Sequence, residues 1–192
     1  MKTFLDNYSN GVMEAMKNFE ADQFEKIIAL IADIYKKDGQ IFIAGNGGSA
    51  GSANHFVCDF GKNAVDFKSG KRRFRIISVC DNVEKITALG NDIAFDEIFS
   101  FQLTNLMNEG DILIVISASG NSPDIVKACE YAKTRKGKII ALSGFDGGKI
   151  KALADACMVA RLKTYEQIED IHLVILHMIV CYFKEHPKVL GL

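Results

Sequence analysis

Two hydrophobic patterns alternate along the chain after residue 38. One consists of segments with helical periodicity, such as "SPDIVKACEYAKTRKG" and "GGKIKALAD". The other consists of short, unbroken apolar runs rich in β-branched residues, at 41–45, 75–79, 111–117, 138–144 and 156–160. Unbroken apolar runs are typical of strands buried on both faces, and their alternation with helices makes the strands parallel. The pattern therefore predicts an α/β three-layer sandwich around a five-stranded parallel sheet.

The two ends of the chain have only the helical pattern. Residues 1–38 indicate two helices, and the second carries an apolar stripe and stops at Gly39. A long helix is expected from about Glu166 to Glu185. The chain has only two prolines and no Ser/Pro/Gly-rich linker, so residues 1–192 are predicted to form a single domain, with residues 39–192 as the α/β core and C-terminal helix.

Composition excludes several classes of function. The net charge of −1 argues against a nucleic-acid or anionic-membrane surface. The longest apolar run, "IHLVILHMIVCYF", is too short to span a bilayer, and no secretion signal is evident. The five cysteines contain no C-x-x-C pair, which indicates reduced thiols in a cytoplasmic protein rather than a zinc ribbon or a disulfide scaffold.

The loops after the predicted strands are the places to look for chemistry, because ligands of such sheets bind at the carboxyl ends of the strands. The loop "SASGNS" offers three hydroxyls, on Ser117, Ser119 and Ser122, just before a helix that begins at Pro123. A helix N-terminus with hydroxyls makes an anion site without a basic residue. Ser122 alone would be an ordinary helix cap, but three serines together favour a bound phosphoryl group.

A second loop, "GNGGSAGS", follows the first predicted strand. Gly47 and Gly48 allow close approach of a ligand to the backbone, and Asn46 and Ser49 supply donors. The loop is neither a P-loop nor a G-x-G-x-x-G fingerprint, and by itself it is a weak signal. Two Ser/Gly loops at one sheet edge favour a phosphosugar pocket.

The titratable residues next to these loops leave two interpretations open. His55 and Asp59 are four residues apart and share one helix face, so they can chelate a divalent metal or form a base beside a histidine. An i, i+4 His–Asp pair is also common on helix surfaces. His177 lies within a long apolar run, where a histidine is usually a core residue.

Four motifs in order carry a resemblance to a known family: "GNGGSA…HF", "ALGND…DEIFSFQ", "ISASGNSPDIVKA" and "ALSGFDGGK". Together they resemble the sugar isomerase (SIS) fold and, more narrowly, the sedoheptulose-7-phosphate (phosphoheptose) isomerase family. The resemblance implies a flavodoxin-like SIS domain that converts sedoheptulose 7-phosphate to D-glycero-D-manno-heptose 7-phosphate through an enediolate, for lipopolysaccharide or capsule. It also implies a cytoplasmic homotetramer with active sites at subunit interfaces and with residues 1–38 in oligomer packing.

The same resemblance assigns roles to individual residues. Asp59 matches the catalytic base and His177 the catalytic acid, and a zinc ion is implied at His55, Asp59, Glu169 and His177. Asp92, in "GND", matches a sugar contact, although a turn or cap role is about as common for such a residue. The implied substrate and phosphate contacts are Asn46, Gly47, Gly48, Ser49, Asp92, Ser117, Ser119, Ser122 and Glu169.

Three departures from the family pattern leave the identity of the sugar open. Asp59 stands where a Glu is usual, Glu169 replaces a Gln, and Asn63, next to Lys62, replaces an Arg. Two alternatives therefore stay open. The protein could be an isomerase of another sugar phosphate, or a non-catalytic SIS protein that binds a phosphosugar or a replication initiator.

Glu169 and His177 are separated by roughly 12 Å along a straight helix. We therefore expect the site to draw on more than one subunit.

Overall fold

The computed structural model describes residues 1–192 as an α/β sandwich around one five-stranded sheet. The strand order is β2-β1-β3-β4-β5, and every neighbouring pair is parallel. The predicted fold class is confirmed. The strands are β1 (Gln40–Gly45), β2 (Arg75–Ser78), β3 (Ile112–Ser117), β4 (Lys138–Gly144) and β5 (Ala156–Ala160).

Eight α-helices cover the sheet and the chain ends, with short 3₁₀ turns at Phe67–Ser69, Phe95–Glu97 and Pro187–Leu190. The helices are α1 (Lys2–Lys17), α2 (Ala21–Lys36), α3 (Gly47–Asn63), α4 (Val83–Asp92), α5 (Ser100–Leu106), α6 (Pro123–Thr134), α7 (Gly148–Leu153) and α8 (Tyr165–Glu185). None of these helices combines the length and the hydropathy that a membrane-spanning segment requires.

The edge strand β2 departs from the predicted burial. All residues of β1 and β3 are buried, as an unbroken apolar run suggests. In β2, however, Arg75 and Ile77 are exposed. Both β2 and β5 are edge strands, but β5 stays buried because α2 and α8 pack against it, whereas the helix contacts of β2 come mainly from α3. An apolar run thus identified the strand but did not show whether helices cover both of its faces.

The two N-terminal helices have different environments. Helix α2 packs against β5, and its residues Ile27 and Ile31 are fully buried in the core. Helix α1 has no buried residue and contacts mainly α8. Helix α2 is therefore part of the sandwich, and α1 alone presents a largely open surface.

Helices α3 and α8 lie side by side and fix the geometry of the site. The ring of Phe60 on α3 lies 5.8 Å from that of Phe183 on α8. Earlier in both helices, the rings of His55 and His177 lie 5.1 Å apart. Because these contacts occur in the same order along both helices, α3 and α8 run in the same direction. Their buried aromatic packing sets which residues of one helix face which residues of the other.

Candidate active site

A small pocket lies where the strand order changes direction, between β1 and β3, as expected for ligand sites in doubly wound sheets. It has a volume of about 130 Å³. We call it the serine pocket. Residues from the β1–α3 loop, the β3–α6 loop and the start of α8 line it: Asn46, Ser49, Ile116, Ser117, Ala118, Ser119, Ser122, Tyr165 and Glu169.

The β3–α6 loop supplies most of the hydroxyls. Ser122 stands at the N-cap of α6, but its side chain makes no capping bond to the helix, and its Oγ lies 3.5 Å from the Oγ of Ser117. The loop turns at Gly120, whose φ of 64° and contact with the Gly147 carbonyl leave no room for a Cβ. The hydroxyl of Ser122 is therefore directed at the pocket rather than used as a helix cap.

The β1–α3 loop is tied to the neighbouring helix by a side-chain bond. The Asn46 amide donates to Oδ2 of Asp124 at 2.7 Å, and Asp124 is buried in the first turn of α6. This bond holds the loops on the two sides of the pocket together. Sequence reasoning did not assign Asp124. The only signal was an acidic residue in the first turn after "SGNSP".

Glu169 occupies the side of the pocket next to the start of α3. A Cβ on Gly48 would lie 2.5 Å from the Oε2 of Glu169, so a larger residue here would displace the Glu169 carboxylate from its present position. A carboxylate is favourable near a helix N-terminus, where the backbone N–H groups carry partial positive charge. Because Glu169 already faces the start of α3, the start of α6 is the better place for a bound anion.

A second constellation, which we call the His–Asp–His cluster, joins His55 and Asp59 of α3 to His177 of α8. The Nε2 atoms of His55 and His177 are 3.0 Å apart. The Oδ2 of Asp59 lies 3.2 Å from the Nε2 of His55 and 3.6 Å from that of His177. The side chain of His177 is 45% exposed. Its apolar neighbours in sequence suggested a core residue, but it faces the cluster.

The donor atoms of the cluster fit a divalent metal ion. Ligands about 2.05 Å from a tetrahedral ion are separated by roughly 3.3 Å. The three measured separations, 3.0, 3.2 and 3.6 Å, bracket that value. Three protein ligands and one open position are typical of catalytic zinc. Glu169, expected as a fourth ligand, does not belong to the group of potential ligands that the chain brings together.

Lys62 provides the positive charge next to Asp59. Its Nζ lies 3.7 Å from the Oδ1 of Asp59, one helical turn further along α3. The Lys62 side chain is 66% exposed, so this ion pair adds little to stability. Asn63 does not join the cluster and lines a separate cavity near the C-terminus.

Three further residues were predicted to contact the substrate: Gly47, Ser119 and Asp92. They lie in three different segments of the chain. Gly47 is the first residue of α3 and has a φ of 50°. The Ser119 Oγ accepts a hydrogen bond from the backbone N–H of Asn121. Asp92 is exposed at the end of α4, accepts a bond from the Asn91 side chain at 2.7 Å and does not line the serine pocket. A single chain does not bring Asp92 to the other site residues.

His172 is the buried histidine of α8. It is 0% exposed, and neither ring nitrogen has a hydrogen-bond partner. Burial lowers the pKa of His172 to about 4. The ring is therefore neutral at pH 7. The core role that is usual for a histidine in an apolar run belongs to His172.

Comparison with known proteins agrees with the fold and the motifs. The SIS domain family model matches residues 4–144. The chain is 36% identical over 168 residues to the phosphoheptose isomerase of Citrifermentans bemidjiense, which covers 88% of this chain and 86% of that protein. It is 38% identical over 161 residues to that of Fusobacterium nucleatum, with coverages of 84% and 81%.

A solved structure extends the similarity to three dimensions. The phosphoheptose isomerase GmhA from Neisseria gonorrhoeae superimposes with a TM-score of 0.85 and 28% sequence identity, and 96% of each chain is covered. The similarity in sequence and structure thus extends over nearly the whole chain. The chain belongs to the phosphoheptose isomerase family of SIS-domain proteins.

Proposed function

We propose that this protein is an aldose–ketose isomerase that converts sedoheptulose 7-phosphate to the corresponding heptose 7-phosphate. The observation that carries the proposal is the joint presence, along α3 and α8, of a hydroxyl-lined pocket and a His–Asp–His cluster. The pocket suits a phosphoryl group, and the cluster offers the carboxylate and imidazole that proton transfer needs. Relatives that are 36% and 38% identical to this chain bear the name phosphoheptose isomerase.

The serine pocket holds the phosphoryl end of the substrate. Ser117, Ser119 and Ser122 donate hydroxyl hydrogens to the phosphoryl oxygens, and the free N–H groups at the start of α6 add their dipoles. Asp124 keeps the Asn46 loop in place through its buried hydrogen bond. These contacts fix the substrate at the end remote from the reacting carbons, which is how binding energy orients a reaction.

The His–Asp–His cluster moves the proton. Asp59 takes the proton from C1 of the ketose, the C1–C2 bond becomes the double bond of an enediolate, and His177 gives a proton to the carbonyl oxygen at C2 from Nδ1, the ring nitrogen that a metal at Nε2 would leave free. Asp59 then returns a proton to C2, and the C1 hydroxyl loses its proton to His177 as the aldehyde forms. Both groups end the cycle as they began. Lys62 contributes positive charge beside Asp59.

The separation of the two regions suits a long substrate. Glu169 lines the serine pocket, and His177 belongs to the cluster eight residues later on α8. Eight residues of helix span roughly 12 Å. A sugar phosphate that reaches from one region to the other must be extended and have its phosphoryl group several carbons from the carbonyl. This favours a seven-carbon phosphate over shorter ones.

We further propose zinc as the metal held by His55, Asp59 and His177, since nitrogen and oxygen donors at these separations suit it. When bound, zinc supplies a Lewis acid that stabilises negative charge on the substrate oxygens. Glu169 as a fourth ligand stays a prediction. Metal analysis of the purified protein, with the His55→Ala variant as comparison, tests the assignment. We expect about one zinc per chain in the wild type and a loss in the variant.

We propose that copies of the chain assemble into a tetramer through α1, and that assembly covers the site. The exposed side of α1 carries Phe4, Leu5, Met13 and Met16, which are 64%, 58%, 49% and 38% exposed. Apolar side chains grouped on an open helix favour a protein partner. Light scattering should give four chains for the wild type and fewer for Phe4→Glu. A wild-type monomer with full activity would contradict this.

Turnover of a panel of ketose phosphates tests the function. We expect isomerisation of sedoheptulose 7-phosphate to exceed that of five- and six-carbon ketose phosphates. Highest turnover of a shorter sugar would support the alternative of a different sugar phosphate. Binding without any turnover would support the non-catalytic alternative, which has no need of the His–Asp–His cluster. Cytoplasmic location and a role in lipopolysaccharide or capsule stay predictions.

A further inference from the structure

An aromatic pair stands at the edge of the serine pocket. Tyr165 is the first residue of α8, lines the pocket and is 54% exposed. Phe145, in the loop after β4, meets it edge-on, with ring centroids 5.3 Å apart and planes at 72°. This is a favourable arrangement for two aromatic rings. We call the pair the aromatic wall.

The backbone at Phe145 is held in a conformation that bulky residues rarely adopt. Its φ is 51°, in the left-handed region. Such a conformation costs on the order of 1–3 kcal/mol and persists only where the surroundings impose it. The ring is half-buried and packs against the core, which places it behind Tyr165 as a support. A strained residue that supports a pocket-lining side chain is a reason to look for function there.

The wall differs in chemistry from the rest of the pocket. The other lining side chains near it are mostly hydroxyls and the carboxylate of Glu169, and Tyr165 is the only aromatic residue of the lining. The face of an aromatic ring carries partial negative charge, so it is a poor partner for a phosphoryl group. It is a good partner for the C–H groups of a sugar chain. The phosphoryl group therefore belongs on the serine side, and the carbon chain beside Tyr165.

We propose that Tyr165, supported by Phe145, is a specificity-determining residue that contacts the carbon chain of the substrate next to its phosphoryl group. The proposal rests on the proposed function, because it assumes that a sugar phosphate occupies the serine pocket. Tyr165 lies one helical turn before Glu169 and on the same face of α8. The ring and the carboxylate thus give that side of the pocket an apolar part and a hydroxyl-binding part.

Kinetics of three variants with sedoheptulose 7-phosphate test the proposal. For Tyr165→Ala we expect KM to rise about tenfold with kcat within about twofold, since an apolar contact of this kind binds ground and transition states alike. Tyr165→Phe keeps the ring and should stay within about twofold of the wild type. Phe145→Asn removes the supporting ring while Asn tolerates a positive φ, so KM should rise, with a lower melting temperature from the lost apolar contacts but no loss of fold.

Competitive inhibition by inorganic phosphate separates the carbon chain from the phosphoryl group. We expect the inhibition constant to be the same for Tyr165→Ala and the wild type, because phosphate lacks a carbon chain. An unchanged KM in Tyr165→Ala would overturn the proposal. So would an inhibition constant for phosphate that rises as much as KM, because the ring would then act on the phosphoryl group.

Calorimetric binding of sedoheptulose 7-phosphate distinguishes a failure of the wall from a failure of the proposed function. A wild-type protein that binds this compound but does not isomerise it would refute the function alone. In that case the affinity for this compound tests the role of Tyr165. We expect about tenfold weaker binding for Tyr165→Ala, and unchanged binding would contradict the proposal.

Discussion

The serine pocket and the His–Asp–His cluster are built in different ways. The pocket consists of loops at the ends of β1 and β3, and strand pairing brings those loops together. The cluster consists of side chains on α3 and α8, and helix packing brings those together. The first depends on topology and the second on the register between two helices. Binding and proton transfer are therefore expected to fail separately when one region is altered.

The largest expected effect is on the cluster. Asp59→Asn keeps the size of the side chain but removes the base, and we expect kcat to fall by about 10³-fold with KM little changed. We expect a similar fall in kcat for His177→Ala. Asp33→Asn is the control, because Asp33 of α2 forms an exposed i, i+4 pair with Lys37, the residue just after that helix, and this pair resembles the His55–Asp59 pair. A near-normal kcat in a folded Asp59→Asn variant would show that Asp59 is not the catalytic base.

The next largest expected effect is on the pH dependence of folding stability. It involves His172 of α8, the helix that contributes residues to both the serine pocket and the His–Asp–His cluster. The folded-state pKa of His172, about 4, lies below its ordinary value of 6.5. The unfolded chain therefore binds the extra proton between these values, and stability falls as pH drops from 6.5 towards 4. The full contribution is on the order of 3 kcal/mol.

Urea unfolding at several pH values measures this contribution. The His172→Leu variant should lose stability less steeply between pH 6.5 and 4, whereas the exposed His186→Gln control should keep the wild-type slope. Equal slopes for the wild type and His172→Leu would show that His172 does not titrate on unfolding.

A smaller effect is expected in the serine pocket. Ser122→Ala removes one donor to the phosphoryl group, and we expect KM to rise about tenfold with a smaller change in kcat. Thermal stability should not change, because the Ser122 hydroxyl does not cap α6. Ser69→Ala, at an exposed turn, is the control. A lower melting temperature with unchanged KM would mean that Ser122 is structural.

The smallest effect concerns the charge of Glu169. A carboxylate in the same pocket as a phosphoryl group repels it. Glu169→Gln should therefore lower KM by about threefold, whereas Glu166→Gln, which does not line the pocket, should leave KM unchanged. Loss of bound zinc and of kcat in Glu169→Gln would instead show that Glu169 reaches the metal in the assembled protein.

Sequence patterns predicted the topology-dependent part of the molecule well. The five apolar runs identify the strands of a parallel sheet, and the Ser/Gly loops at their carboxyl ends line one pocket. The exposure of β2 was not predictable from its own residues, because it depends on which helices cover the strand. Tyr165 was not singled out, although it precedes Glu169 by one helical turn.

The helix-dependent part was harder to predict. Spacing placed His55 beside Asp59 but gave no partner on another element. It also could not tell His172 from His177, since both lie in one apolar run, and only the packing of α8 buries the first and exposes the second. The expectation of a site shared between subunits arose from the separation of Glu169 and His177 along one helix; a single chain keeps Glu169 out of the His–Asp–His cluster, and the expectation stays a prediction.

The central claim is that Asp59 transfers a proton between C1 and C2 of a sugar phosphate held in the serine pocket. Turnover of sedoheptulose 7-phosphate in D₂O, followed by NMR of the product, tests it most directly. The side chain of Asp59 is 25% exposed, so its proton should exchange with solvent. We predict deuterium at C2 of the aldose product in the wild type and almost none formed by Asp59→Asn, which should still bind the substrate. Undiminished turnover or incorporation in Asp59→Asn would contradict the account, whereas wild-type product without deuterium would contradict only the exchange of the Asp59 proton with solvent.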